Sequence, residues 1–343
     1  MNKIRSLTQK QLFLPIFCVF LVLCSNIIYD IAQGNAFYNF FSISIKNGVL
    51  YGRIIDILNR GSEVAILAIG MTLVVSCSAG TDISVGSVMS LCASFCCMLL
   101  SGYGVTSAYE YALPLVVCVI AGLLMGCLCG AFNGALVAYL NIQPMVATLI
   151  LYSAARAIGL LLCNDQILYI RVDSFGMFGG YTGFLPTPII IAALCILIVS
   201  IVLKKTAMGM YVQSVGINKK ASRIAGLNSQ KIIFLCYVLC GLCAGITGLL
   251  LACRMRVGDP TCGTVYSMNS ITAAVVGGTS MAGGVGLLSG TVAGAFLIGM
   301  LSNIMNSLAV NQFYQYVVKG ALLVLAMVIY SVSKLMEVKR HAK

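Results

Sequence analysis

Stretches of about twenty apolar residues recur along the chain at 11–31, 62–78, 84–101, 111–139, 143–163, 186–203, 231–253, 265–280, 284–309 and 314–333. As helices, segments of this length cross a hydrocarbon layer of about 30 Å. The pattern predicts an all-α, polytopic transmembrane bundle of about ten spans, forming a single membrane domain over 1–343. The eighth stretch is short and Gly-rich. Two interruptions, Ser78-Ala-Gly-Thr-Asp-Ile-Ser-Val-Gly86 and Val276-Gly-Gly-Thr-Ser-Met-Ala-Gly-Gly284, predict Gly-rich broken or re-entrant helices whose loosened backbone is satisfied by hydroxyl groups.

The polar residues between these stretches set the orientation. Lys204, Lys205, Lys219, Lys220, Arg223 and Lys231 fall in 204–231 without an acid, and Lys334, Lys339, Arg340 and Lys343 crowd the tail. Positive charge is retained on the cytoplasmic side, so both segments are placed there. Threading the other spans alternately puts the N-terminus inside as well, in agreement with Lys3, Arg5 and Lys10. Lys46, Arg53 and Arg60 run against the rule, since they fall in the first outer segment. Because Val49, Leu50, Ile54, Ile57 and Leu58 recur there at helical spacing, 48–59 is read as an amphipathic helix on the outer surface with its charges in water. The first apolar stretch is too long for a signal-peptide core, although Ala32 and Gly34 are small enough for a cleavage site; it is read as an uncleaved helix.

Composition excludes several classes. With 60% apolar and 9% charged residues, a 343-residue chain has no soluble way to cover its apolar surface. The excess of 21 basic over 9 acidic residues is not interleaved with aromatics, so the bilayer and not a nucleic acid is the expected partner. The 16 cysteines lie mostly in apolar runs, where they pack as small hydrophobes. Cys240 and Cys243 have CxxC spacing with Cys236 on the same face, but no second pair, carboxylate or histidine is near, so packing is preferred over a metal. No Lys-Ser/Thr follows the glycines, so no nucleotide site is expected. No cofactor is expected either, and the single His341 leaves no constellation for a membrane enzyme.

Ionisable residues inside spans are costly and therefore functional candidates. Asp82 and Arg156 are read as such. Asp82 either contributes to a path or gate or caps the next helix through the amide of Ser84 or Val85. Arg156 either pairs with Asp82 or holds carbonyls of a broken helix. In the basic loop, Asn218 is suited to cap about two helical turns over Lys219 to Ala225, which Gly226 ends in the left-handed region. Ile217, Ala221 and Ile224 then share one face and Lys220 and Arg223 another, an arrangement suited to docking into a partner's groove. An ion-coupled secondary transporter is the alternative, but it normally needs more intramembrane carboxylates and no docking loop.

Several segments in order resemble the permease subunits of ribose/galactose-type ABC sugar importers: Ala68-Ile-Gly-Met-Thr72, Asp82-Ile-Ser-Val-Gly-Ser87, Asn133-Gly-Ala-Leu-Val-Ala138 with Pro144 and Ala147-Thr-Leu149, Gly216-Ile-Asn218 to Ala225-Gly-Leu-Asn228, Ala273-Ala-Val-Val-Gly-Gly-Thr-Ser280, and Tyr316-Val-Val-Lys-Gly320. The chain departs from the pattern at Ser78-Ala79, at Thr81, and at Tyr266-Ser-Met-Asn269, where an acidic residue is usual. The resemblance implies that 204–231 carries a coupling helix, with Gly216, Asn218, Ala221, Ser222, Arg223, Ala225 and Gly226 as its candidate residues. It implies a path or gate for a monosaccharide or similar polar solute at Asp82, Ser84, Gly86, Asn133, Arg156, Gly277, Gly278, Thr279 and Ser280. The implied partners are a second permease chain, a cytoplasmic ABC ATPase with two nucleotide-binding domains, and an extracytoplasmic sugar-binding protein, all at a bacterial plasma membrane.

Overall fold

The computed structural model describes residues 49–341 except 178, together with 19, 20, 22–24, 27 and 42–46. Lys3, Arg5, Lys10 and most of the predicted first span, 11–31, lie outside the described residues. The helices are α1 (Arg53–Ser78), α2 (Val85–Ser101), α3 (Leu115–Ala138), α4 (Pro144–Leu162), α5 (Asp173–Met177), α6 (Thr187–Lys205), α7 (Met208–Ile217), α8 (Lys219–Ile224), α9 (Ser229–Met255), α10 (Thr264–Val276), α11 (Leu288–Ser307) and α12 (Gln312–His341). By length and composition, six of them are able to cross a bilayer: α1, α3, α4, α6, α9 and α11. The chain is thus a mostly helical, polytopic bundle. The 17 residues of α2 and the 13 of α10 make shorter rods, and α10 reaches only about 20 Å.

The apolar stretches do not contribute equally. The most apolar window of α1 is 94% buried, against 17% for that of α6, so α1 is a central strut and α6 a peripheral one. Gly122, Gly126, Gly130 and Gly134 recur at every fourth residue of α3. A Cβ at Gly126 would lie 2.5 Å from the carbonyl of Gly241, and one at Gly130 2.4 Å from that of Tyr237, so α3 and α9 meet backbone to backbone. Across α1, Gly70 makes room for Cys240 and Cys243 of α9, with a would-be Cβ 3.2 Å from Cys240 Sγ. The CxxC spacing therefore places two small side chains against a glycine of the neighbouring helix.

Three small sheets gather connections at one end of the bundle, called here the sheet end. β1 (Ser44–Lys46) pairs antiparallel with β2 (Val49–Tyr51), and β5 (Tyr181–Thr182) with β6 (Leu185–Pro186). β4 (Leu168–Ile170) lies between β3 (Ser107–Ala108), parallel to it, and β7 (Val257–Gly258), antiparallel. The opposite, loop end carries the α1–α2 turn, α7, α8 and the 277–287 segment. The predicted surface helix at 48–59 is not formed. Its first residues are β2, and from Arg53 onward they are the opening turns of α1. The reason is packing: Ile55 and Ile57 are buried, and Gly299 of α11 lies against Gly61 and the carbonyl of Ile57, which holds these turns in the bundle.

Candidate functional site

Each Gly-rich interruption folds as a helix break. At the first, Ala79 takes a left-handed φ of 52° and closes α1 by donating its N–H to the carbonyl of Val75. Asp82, only 4% exposed, accepts through Oδ1 from the N–H of Ser84 at 2.9 Å and from Ser84 Oγ at 2.5 Å. Asn133 Nδ2 donates to Ser84 Oγ at 2.9 Å, which fixes α3 against the break. Gly86 then opens α2 with its N–H on Ser267 Oγ at 2.9 Å, and Ser267 Oγ donates to the carbonyl of Ile83 at 3.0 Å. A Cβ at Gly86 would stand 2.1 Å from the carbonyl of Gly263, so only glycine lets α2 and the start of α10 meet here. Asp82, Ser84, Gly86 and Asn133 thus form one cluster, in which Asp82 makes an Asx turn leading to the N-cap residue Ser84 and does not itself cap α2.

Arg156 lies elsewhere. Of the two partners left open by the sequence, it takes the carbonyls: Nη1 donates to the carbonyl of Thr261 at 2.7 Å, and Nη2 donates to Thr264 Oγ1 at 3.1 Å and to the carbonyl of Cys262 at 3.4 Å. Tyr152 lies one turn away with its ring centroid 5.8 Å from the guanidinium. The arginine therefore fastens α4 to the extended segment through which the chain passes from β7 into the short α10. That passage explains the weak eighth stretch: the chain runs inward as extended backbone and only then as helix.

At the second break the N–H of Gly278, which has a φ of 89°, donates to the carbonyl of Val275 at 2.9 Å. Thr279 Oγ1 lies 3.4 Å from Thr291 Oγ1, which is 2.8 Å from Thr72 Oγ1. A Cβ on Gly277 would meet the Gly290 backbone at 2.5 Å. The N–H of Ser280 donates to the carbonyl of Val285, and that of Gly284 to the carbonyl of Ser76. The two breaks are thereby joined through Ser76 and Gly284. Gly216 sits on this junction: a Cβ there would lie 1.8 Å from the carbonyl of Ser76 and 2.5 Å from the amide of Gly284.

From Gly216 the chain leads directly into α8. Asn218 Oδ1 accepts from the N–H of Ala221 at 3.0 Å, and Gly226, with a φ of 85°, returns its N–H to the carbonyl of Arg223. Ser222 is buried beneath the helix, while Ala221, Arg223 and Ala225 are exposed. Ile217 and Ile224 are 74% and 88% exposed, an uncovered apolar pair on a six-residue helix too short to be stable by itself.

One ionisable cluster escaped the sequence reading. Glu63 lies inside the 62–78 stretch and is fully buried. Its Oε1 is 3.2 Å from Arg254 Nη1, and its Oε2 accepts from Tyr266 Oη at 2.7 Å. The signal was a carboxylate within an apolar stretch and an arginine one residue beyond another, but nothing in their spacing joined them.

The chain matches, over residues 53–327, the model of a family described as a branched-chain amino acid transport system / permease component. The chain belongs to this permease family. The permease is 42% identical over 273 residues to the galactofuranose transporter permease protein of Escherichia coli (strain K12), covering 78% of this chain and 77% of that one. It is 35% identical over 296 residues to the ribose import permease protein of the same strain, covering 85% and 87%. A fructose import permease protein of Bifidobacterium longum (strain NCC 2705) is 32% identical over 359 aligned positions, covering 100% and 95%. No solved structure matches the chain. The resemblance to sugar-importer permeases is thus shown, and the protein is a multi-pass translocation subunit rather than a catalytic one.

Proposed function

We propose that this permease forms the translocation path of an ABC importer for a monosaccharide in the bacterial plasma membrane. The observation that carries the reading is its similarity, over more than three quarters of both chains, to galactofuranose and ribose permease proteins. The loop end faces the cytoplasm, in keeping with the acid-free basic segment 204–231, and both termini lie on that side after ten crossings. Two permease chains enclose the path, an extracytoplasmic sugar-binding protein delivers the solute, and a cytoplasmic ATPase with two nucleotide-binding domains docks on α8.

In this reading α8 is the coupling helix, and Ile217, Ala221 and Ile224 are the face covered by the ATPase. Gly216 passes the motion on, because its backbone touches the two breaks at once. The gate comprises Asp82, Ser84, Gly86 and Asn133 on one side and Gly277, Gly278, Thr279 and Ser280 on the other. Arg156 keeps the α10 lead-in fixed while they move. Replacing Ala221 by Glu tests the docking face by placing an unpaired charge at the contact. In proteoliposomes holding permease, ATPase and receptor, sugar uptake and sugar-stimulated ATP hydrolysis are expected to fall together, at an unchanged yield of folded permease. Undiminished uptake would remove α8 from the dock, and uptake driven by an ion gradient without ATP would remove the importer class.

A further inference from the structure

At the sheet end, a cavity of about 430 Å³ opens between α1, α10, α11 and α12. Its volume lies within the range of small-molecule sites, roughly 300–1,000 Å³. Most of its lining residues are polar, among them Arg60, Arg254, Tyr266, Asn269, Gln315 and Lys319.

Two of these side chains are more than nine-tenths buried, and each has a polar atom without a partner among the described residues. Asn269 is 7% exposed, and its Oδ1 accepts no hydrogen bond. Lys319 is 8% exposed and has no hydrogen bond or ion pair among the described residues. A buried amide oxygen without a hydrogen bond is costly, and the Lys319 ammonium, reached from the cavity, needs acceptors that no described residue supplies. Their neighbours are committed: Glu63 holds both Arg254 and Tyr266, and Gln315 Nε2 donates to Asn306 Oδ1 at 2.9 Å and to the carbonyl of Val310 at 3.0 Å. Around the unpartnered ammonium and the unpartnered amide oxygen there is thus a hydrogen-bonded frame. A compact solute with several hydroxyls supplies both complements at once, since a hydroxyl accepts from the ammonium and another donates to the amide oxygen.

We propose that this cavity is a solute-binding site of the permease itself, taking one monosaccharide through Lys319 and Asn269. It rests on the sugar-permease reading and goes beyond it, by placing part of the solute selection in the translocation subunit and not only in the receptor. The residues joined at the helix breaks are then the gate below the site.

The test uses the complete importer in proteoliposomes, with its own ATPase and receptor, and labelled D-ribose, D-galactose, D-fructose and D-xylose as probes. Lys319→Met and Asn269→Leu are expected to lower uptake of the best-moved sugar about tenfold, the effect of removing one good hydrogen bond. They are also expected to change the ratio of rates between the two best-moved sugars. Lys319→Arg, which keeps a charged donor, is expected to recover part of the rate. Receptor and ATPase are the same in every sample, so an altered ratio originates in the permease. Equal scaling of all sugars, unchanged uptake, or loss confined to the yield of assembled permease dimers would overturn the site, the last by making Lys319 a subunit contact. If the wild-type importer moves none of the four sugars, the sugar reading itself fails.

Discussion

Two polar clusters lie within the bundle, and they are built differently. At the loop end, Asp82, Ser84 and Asn133 bond to one another and to the amide that starts α2, so the charge is absorbed into the break of a helix. At the sheet end, Glu63 is paired with Arg254 and bonded to Tyr266, and beside it Lys319 and the amide oxygen of Asn269, two residues lining a cavity, have no hydrogen bond among the described residues. Both clusters leave a buried amide oxygen without a hydrogen bond, Asn133 Oδ1 in the first and Asn269 Oδ1 in the second, but only Asn269 belongs to the lining of the 430 Å³ cavity. One cluster is built into a helix break and the other beside a cavity, so substitutions in the two are expected to differ in kind.

The sharpest break in the comparison is Glu63→Leu. It removes a fully buried carboxylate, leaving Arg254, whose side chain is 25% exposed, without its partner and Tyr266 without its acceptor. The expected cost is about 1.5–3 kcal/mol, seen as loss of monodisperse permease after mild heating in detergent. Adding Arg254→Met is expected to restore much of it, because no charge is then left alone; strict additivity would show that the pair does not act as a unit.

A smaller effect belongs to the loop end. Asp82→Ala is expected to cost about 1–2 kcal/mol of thermal stability through the lost turn bonds to Ser84, whereas Asp82→Asn is expected to be nearly silent, since Asn makes the same turn. If Asn matches Ala in lowering uptake while stability holds, the charge itself has a role at the gate and the contrast between the clusters weakens. Least of all is expected from Arg256→Gln. Its partner Asp173 is 96% exposed at the sheet end, and water replaces the 2.9 Å contact. A clear loss of uptake in that variant would point to a receptor contact at this end.

Apolar length, basic loops and the punctuation of glycines made a multi-pass bundle legible in the sequence, along with the two interruptions and the capped helix at Asn218. These are local properties: a helix crosses lipid because its own residues are apolar and its own backbone is satisfied, so each span is decided within about twenty residues. The resemblance to permeases rested on short segments in order and likewise needed no contacts. Other features were settled only by packing. Residues 53–59 extend α1 and do not lie on the surface, because Ile55 and Ile57 find a buried place beside α11. Arg156 holds the carbonyls at Thr261 and Cys262, residues more than a hundred positions away. Glu63 meets Arg254 and Tyr266, and Lys319 comes to line a cavity without a partner among the described residues, only once α1, α9, α10 and α12 are assembled. The charge of a side chain belongs to the sequence, but whether it is compensated depends on which helices stand beside it, and that is fixed by the close approaches of glycines and small side chains throughout the bundle.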